Sequence, residues 1–240
     1  MKRKIKDFAE RFTAQEIKDI VIADIILILA FSFILSTGFG GIFSISSSPG
    51  FASKFIEYLS ISAFVVSVSF VLHEMMHKFV AQHYGAIAGF RTSPTGLMIT
   101  GLSSLFGFLI GIPGATMIYA HNFSKRQEGI VSLAGPLTNF VIFALFATMS
   151  FALHPAATTY FAALISLTLF INILLALYNM LPIFPLDGSK IFAWNKPIYI
   201  LMMGIIFILA YIFVPYFFTD MIYMVVIALI FSMLYRHVLF

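Results

Sequence analysis

The stretch VLHEMMHKFV, Val71–Val80, places ionisable side chains inside a segment that is otherwise apolar enough to span a membrane. His73 and His77 are four residues apart, so a helix puts both imidazoles on one face, where they can bind one divalent metal. Glu74 follows the first histidine and can act as a general base. This H-E-x-x-H pattern is typical of zinc hydrolases. The alternative is a polar patch that lines a helix interface.

The composition assigns the whole chain to the membrane class. Of its 240 residues, 61% are hydrophobic and 10% are charged, whereas a soluble domain carries about 25% charge. The chain therefore lacks the polar surface that a globule needs in water. Cysteine is absent, which excludes disulfides, cysteine-based metal sites and a cysteine nucleophile. No nucleic-acid motif is present, and the basic residues fit membrane orientation instead.

Hydropathy predicts an all-α polytopic membrane protein with about six transmembrane helices. Segments of roughly 17–25 apolar residues can cross a bilayer. The candidate spans are Ile20–Gly38, Tyr58–Tyr84, Ile130–Leu153, Thr159–Met180, Ile198–Phe218 and Phe217–Leu234. A seventh apolar stretch, Leu97–Ile118, lies between the second and third spans and is broken by five glycines and prolines. We expect this stretch to be a re-entrant or β-hairpin segment that dips into the membrane.

The N-terminal residues are strongly basic. Residues 1–19 are interpreted as a basic, amphipathic cytoplasmic lead, and residues 20–240 as a single transmembrane core. The lead is expected to be either an anchor at the membrane surface or a frayed tail. Thr13 and Glu16 have the spacing of a capping box, which predicts that a helix begins there and continues into the membrane.

The distribution of lysine and arginine predicts that the N-terminus is cytoplasmic. With six spans, Lys54 is the only basic residue in an outside loop. The other basic residues lie in the N-terminal segment and at Lys78, Arg91, Lys125, Arg126, Lys190, Lys196 and Arg236. We therefore expect a multi-pass protein of the cell membrane, with its N-terminus and the opening of its active site on the cytoplasmic side.

A catalytic zinc needs a third protein ligand and an open position for water. Asp187, in the segment NMLPIFPLDGSK at residues 179–190, is the best candidate. Pro182 and Pro185 prevent a regular helix there, and Gly188 permits a sharp turn. Broken backbone at membrane depth is tolerated where it lines a cavity, so this segment can present Asp187 to a metal. The alternative is an ordinary loop turn between two spans.

The predicted topology constrains this site. His73 and His77 lie in the cytoplasmic half of the second span, and Asp187 lies in the cytoplasmic connection between the fourth and fifth spans. A spanning helix at Leu97–Ile118 would move Asp187 to the opposite side. The site can therefore form only if that stretch does not cross the membrane.

Three motifs together resemble the site-2 protease family of intramembrane zinc metalloproteases. HEMMH, residues 73–77, matches the family's first motif, and NMLPIFPLDG, residues 179–188, is similar to its N-x-x-P-x-x-P-L-D-G motif. AGPLTN, residues 134–139, resembles the G-x-x-x-N segment of the family's third span. The likeness covers roughly residues 58–191. The family often carries a PDZ or CBS domain, for which we expect no room in this chain.

The resemblance implies a zinc metalloendopeptidase that cleaves transmembrane protein substrates in the bilayer. Zn²⁺ would be held by His73, His77 and Asp187. Glu74 would take a proton from the attacking water and pass it to the leaving nitrogen. Asn179 matches the family's asparagine near the metal and is assigned to substrate or oxyanion contact, with a helix-end hydrogen bond as the alternative.

Other polar residues in the predicted spans are expected to connect neighbouring helices. Asn139 is expected to brace the third span against its neighbour, and Asn172 and Asp24 can do the same.

A membrane protease of the CAAX-processing type would use a downstream glutamate as third ligand, and only Glu128, in a loop, is available. A membrane scaffold or transporter with a polar helix interface predicts no bound metal.

Overall fold

The structure, a computed structural model, describes residues 12–45, 49–154 and 159–235. Most of the predicted basic lead and Arg236 lie outside the described residues. In chain order, the elements are α1 (Ala14–Thr37), a 3₁₀ segment (Gly38–Ser44), α2 (Phe51–Val66), a π-helical turn (Ser67–Val71), α3 (Leu72–His83), β1 (Ile87–Thr92), α4 (Pro94–Leu105), β2 (Gly114–Tyr119), α5 (Lys125–Leu153), α6 (Tyr160–Asn179), α7 (Asp187–Trp194), α8 (Lys196–Phe213) and α9 (Phe217–Leu234).

The long helices make the chain a multi-pass membrane protein. Within the described residues, five helices are long and apolar enough to span a bilayer: Ala14–Thr37, Phe51–His83, Lys125–Leu153, Tyr160–Asn179 and Lys196–Phe213. The second of these is α2, the π-helical turn and α3 in one continuous run. The predicted sixth span corresponds to α9, a shorter apolar helix. The polytopic helical class is confirmed, and the count of six spans stays a prediction.

The segment between the second and third spans is not one helix. The predicted stretch Leu97–Ile118 contains most of α4, an irregular connection and most of β2. β2 pairs antiparallel with β1, from Ile87 opposite Tyr119 to Thr92 opposite Gly114. The fold is therefore not purely helical. Insertion of this segment into the membrane stays a prediction.

The start of α1 is only partly as predicted. Thr13 caps the helix, because its hydroxyl accepts a hydrogen bond from the Glu16 backbone N–H at 3.1 Å. Glu16 does not complete a capping box. Its two carboxylate oxygens instead each lie 2.7 Å from Nζ of Lys78, whose side chain on α3 is fully buried. Lys78, one of the basic residues that the orientation prediction counts, is therefore an interior ion-pair partner.

Helix packing brings the two halves of the candidate site together. α5 packs against α3, α6 and α7. The largest buried cluster joins α5, α6, α7 and α8, with Phe143, Ile173, Ile191 and Ile206 among its members. α5 therefore contacts both α3 and α7, the two helices that carry the candidate ligands.

Candidate metal centre

Two imidazoles project from α3 towards α5. His73 and His77 are 5% and 7% exposed, and their Nε2 atoms lie 3.0 Å apart. The four-residue spacing on the helix produces this arrangement, as the sequence predicted. The polar face of α3 is thus turned into the protein and away from lipid.

Asp187 begins α7 and completes the group. Its Oδ2 lies 3.1 Å from Nε2 of His77 and 3.6 Å from Nε2 of His73. The ligand atoms of the three side chains all lie within 4.8 Å of one another. Burial alone would raise the pKa of the Asp187 carboxyl, but the neighbouring imidazoles of His77 and His73 and the charge of Lys190 outweigh burial and hold the pKa below its ordinary value. The carboxylate is therefore ionised, as a metal ligand must be.

A glycine contact explains how Asp187 reaches the histidines. A Cβ on Gly188 would lie 2.6 Å from the carbonyl oxygen of Leu181. Only a residue without a side chain allows the first turn of α7 to approach the end of α6 so closely. The Asp-Gly pair of the sequence motif is therefore a structural requirement for presenting the carboxylate.

The other nitrogen of each imidazole has a protein partner. Nδ1 of His77 lies 2.8 Å from the backbone carbonyl oxygen of Val131, and Nδ1 of His73 lies 2.5 Å from Oδ1 of Asn139. A carbonyl oxygen can only accept, so Nδ1 carries the hydrogen in His77 and Nε2 carries the lone pair. Such contacts orient the metal ligands in histidine sites.

The group fits a zinc ion in chemistry and in space. Two imidazole nitrogens and a carboxylate oxygen face one another, and one cation placed between them would satisfy all three. Three protein ligands of this kind, with one position open for water, are the donor set of catalytic zinc sites. A Cβ on Gly135 of α5 would lie 2.5 Å from Nε2 of His73 and close to Nε2 of His77. Glycine at this position therefore keeps the space beside both ligand atoms free.

Glu74 is held by the two-stranded sheet. Its Oε2 accepts hydrogen bonds from the backbone nitrogen of Thr116 at 3.0 Å and from the Thr116 hydroxyl at 2.8 Å. Phe90, opposite Thr116 in the sheet, directs its own N–H to Glu16. Thr116 and Phe90 are therefore a non-hydrogen-bonded pair of the antiparallel sheet. The backbone N–H of Thr116 points out of the sheet, and the outer edge of β2 thus faces Glu74.

Asn179, at the end of α6, makes the helix-end contact that was the alternative expectation. Its Nδ2 donates to the carbonyl oxygen of Leu175 at 2.9 Å. This bond does not use the side-chain oxygen of Asn179. A contact between Asn179 and a substrate therefore stays a prediction.

The sequence did not identify three residues of the site. Thr116 holds Glu74, Gly135 leaves space beside the histidines, and Asn139 contacts His73 as well as bracing helices. Asn139 and Gly135 both fall in the AGPLTN motif, which was the available signal for them. Thr116 lies in a stretch whose fold could not be derived from hydropathy.

The chain is similar to curated proteins named as zinc metalloproteases. It is 35% identical over 186 residues to "Putative zinc metalloprotease MJ0611" of Methanocaldococcus jannaschii, with 77% of this chain and 87% of that protein covered. It is 32% identical over 148 residues to "Putative zinc metalloprotease Rip2" of Mycolicibacterium smegmatis, with 55% and 57% covered. It is 29% identical over 162 residues to "Putative zinc metalloprotease YwhC" of Bacillus subtilis, with 58% and 72% covered. No protein-family model and no solved structure matches the chain.

The helices and the site together define a multi-pass membrane protein with a His-His-Asp candidate metal centre. Given its similarity to the Methanocaldococcus jannaschii protein over most of both chains, the chain belongs to this family of zinc metalloproteases. The names of the relatives and the donor set of the site agree in supporting Zn²⁺ as the cofactor.

Proposed function

We propose that the protein is an intramembrane zinc metalloendopeptidase of the site-2 protease type, which hydrolyses peptide bonds within or near transmembrane helices of its substrates. The observation that carries this proposal is the convergence of His73, His77 and Asp187 between membrane helices, with Glu74 on the same helix as the histidines. A polar helix interface without chemistry does not require three metal-ligating side chains to meet at one point.

Each side chain has a distinct role in the proposed reaction. His73, His77 and Asp187 would hold Zn²⁺, which when bound would supply the Lewis acidity for attack of water on a peptide carbonyl. Glu74 accepts the proton of the attacking water and donates it to the departing amine nitrogen. Both hydrogen bonds from Thr116 go to Oε2 of Glu74, which leaves Oε1 to take the proton.

The substrate must reach this site in an extended form. A helical segment hides its carbonyl groups in its own hydrogen bonds, so it has to unwind before hydrolysis. The outer edge of β2 faces Glu74, which occupies the backbone N–H of Thr116, and we expect an extended peptide to pair with the other backbone groups of this edge. Asn179 is assigned to contact with the substrate or with the negative oxygen that develops during attack.

The partners follow from the membrane location. The substrate is a transmembrane protein, and the apolar helices are embedded in the lipid of the cell membrane. The distribution of basic residues supports a cytoplasmic N-terminus and a site that opens to the cytoplasm, where water for hydrolysis is available.

Cleavage of a model transmembrane substrate by the purified protein in detergent tests this function. Glu74→Gln should abolish cleavage while zinc content stays at the wild-type level, because the base is lost and the ligands are kept. Glu128→Gln, an exposed site on α5, is the matched control and should cleave normally. A CAAX-type enzyme would lose zinc in Glu128→Gln, and a scaffold or transporter would show neither zinc nor cleavage. Near-normal cleavage by Glu74→Gln would refute the proposal.

A further inference from the structure

Two buried asparagines lie behind His73. Asn139 on α5 and Asn172 on α6 are both 0% exposed. Oδ1 of Asn139 contacts Nδ1 of His73 at 2.5 Å, and Nδ2 of Asn139 lies 2.8 Å from Oδ1 of Asn172. The hydrogen-bonded chain therefore connects three membrane helices and ends on a metal-ligating side chain.

The orientation of Asn172 is fixed by the backbone of its own helix. One contact of its side chain is with the carbonyl oxygen of Thr168 at 2.9 Å, and another is with the hydroxyl of Ser69 at 2.7 Å. Because a carbonyl oxygen can only accept, the group facing Thr168 must be the NH₂ of Asn172. The side-chain oxygen of Asn172 is thereby directed towards Asn139.

The orientation of Asn139 follows from that of Asn172. Its nitrogen faces the side-chain oxygen of Asn172 and also the backbone carbonyl oxygen of Ser69, at 3.0 Å. Both partners are acceptors, so this group must be the NH₂, and the oxygen of Asn139 must face His73. Nδ1 of His73 then carries the hydrogen, and Nε2 presents its lone pair towards His77 and Asp187.

The carbonyl oxygen of Ser69 lies in the π-helical turn that precedes α3. A π-helical turn departs from the regular i to i−4 hydrogen-bond pattern, and such turns are frequent at functional sites. Here the carbonyl of Ser69 accepts from Asn139 one turn before the first histidine. The irregular turn and the two asparagines therefore act on the same ligand.

We propose that Asn139 and Asn172 are positioning residues that set the ring orientation and the tautomer of His73 for metal binding. Asn139 acts directly on the imidazole, and Asn172 acts only through Asn139. This inference rests on the proposed function, since it requires that His73 is a zinc ligand. The competing explanation is a brace between helices, because interhelical amide contacts also stabilise membrane proteins.

Zinc affinity of the purified full chain in detergent, measured by competition with a zinc chelator, separates positioning from bracing. Asn139→Leu keeps the volume and removes the acceptor, and should weaken zinc binding about 10–100-fold, the range seen when outer partners of metal ligands are removed. Asn172→Leu should weaken it several-fold although Asn172 contacts no ligand. Asn139→Asp keeps an oxygen opposite His73 and should bind zinc within a few-fold of wild type.

Thr168→Val is the matched control. Its hydroxyl is buried on α6 one turn before Asn172 and donates to the backbone carbonyl oxygen of Leu164 at 2.7 Å. The variant should bind zinc as wild type does. If Asn172 acts through Asn139, the double variant Asn139→Leu/Asn172→Leu should bind zinc no more weakly than Asn139→Leu.

Three results would overturn the proposal: wild-type zinc affinity in folded Asn139→Leu or in folded Asn172→Leu, an equal loss in Thr168→Val, or a full additional loss in the double variant. If Asn139→Leu does not fold, Asn172→Leu and Asn139→Asp still decide the question. Because the measurement is zinc affinity, it stays separate from the proteolytic function, which Glu74→Gln tests through cleavage at unchanged zinc content.

Discussion

Thr116 on β2 donates two hydrogen bonds to one carboxylate oxygen of Glu74 on α3, from its backbone nitrogen at 3.0 Å and from its hydroxyl at 2.8 Å. The same hydroxyl also lies 3.0 Å from the backbone oxygen of Glu74. The sheet segment is thereby coupled to the proposed base. Movement of β2 on substrate binding would change the environment of Glu74 directly.

Thr116→Val should lower kcat by about tenfold, because it removes one hydrogen bond to the Glu74 carboxylate. A hydrogen bond to a charged group contributes at least about 1.5 kcal/mol, and this energy corresponds to about a tenfold change in rate. Valine keeps the shape and the backbone N–H, so zinc content should not change. Initial cleavage rates and metal analysis test this expectation. Thr148→Val, at an exposed hydroxyl on α5, should cleave as wild type does. Loss of zinc in Thr116→Val would contradict the assigned role.

Gly135→Ala should weaken zinc binding by more than about tenfold, because the added methyl group occupies the space beside both histidine nitrogens. Gly204→Ala is the matched control, since a Cβ there meets nothing within 4 Å. That control should bind zinc normally and be slightly more stable, since alanine is the better helix former. Chelator competition measures both variants. Equal zinc affinity in the two would show that Gly135 does not border the metal.

Lys78→Met should destabilise the fold by about 3–5 kcal/mol, because Glu16 is left as a buried charge without its partner. The double variant Lys78→Met/Glu16→Gln should recover most of this loss, since glutamine is neutral and still accepts from the backbone of Phe90. Thermal unfolding in detergent measures the differences. As a control, Arg91→Met should cost less than about 1 kcal/mol, because the Arg91 side chain is 45% exposed and the buried Asp19 keeps its hydrogen bonds from Gln15 and Thr92. A double variant as unstable as Lys78→Met would show that the charge is not the cause.

Cysteines placed singly at Arg91, Lys125 and Lys190 should all react with an impermeant thiol reagent from the cytoplasmic side only. The chain has no native cysteine, so labelling reports on the introduced residue alone. The expectation follows from a segment of β1, α4 and β2 that does not cross the membrane. Labelling of the Arg91 and Lys125 positions from opposite sides would exclude the proposed site geometry.

The sequence predicted those features that depend on local spacing. The four-residue separation of His73 and His77 determines a shared helix face, and apolar runs of sufficient length determine membrane helices. Pro182, Pro185 and Gly188 indicated a broken segment that presents Asp187. Each of these inferences uses only neighbouring residues and the known geometry of helices and turns.

Features that depend on contacts between distant segments could not be predicted. Glu16 had the spacing of a capping box, yet it pairs with Lys78 on another helix, because a buried ammonium needs an opposite charge. Thr116 belongs to a hydrophobic stretch and to none of the sequence motifs. Its contact with Glu74 depends on the register of β1 with β2. Asn139 was expected to brace helices, and its contact with His73 becomes visible only when α3 and α5 are packed.

The zinc content of the purified protein, measured for the wild type and for Asp187→Asn, tests the central claim most directly. The wild type should contain one zinc per chain, and Asp187→Asn should lose most of it, because a charged oxygen ligand is replaced by a neutral one. A wild-type protein that cleaves its substrate without zinc, or an Asp187→Asn variant with full zinc and full activity, would contradict the metal centre formed by His73, His77 and Asp187.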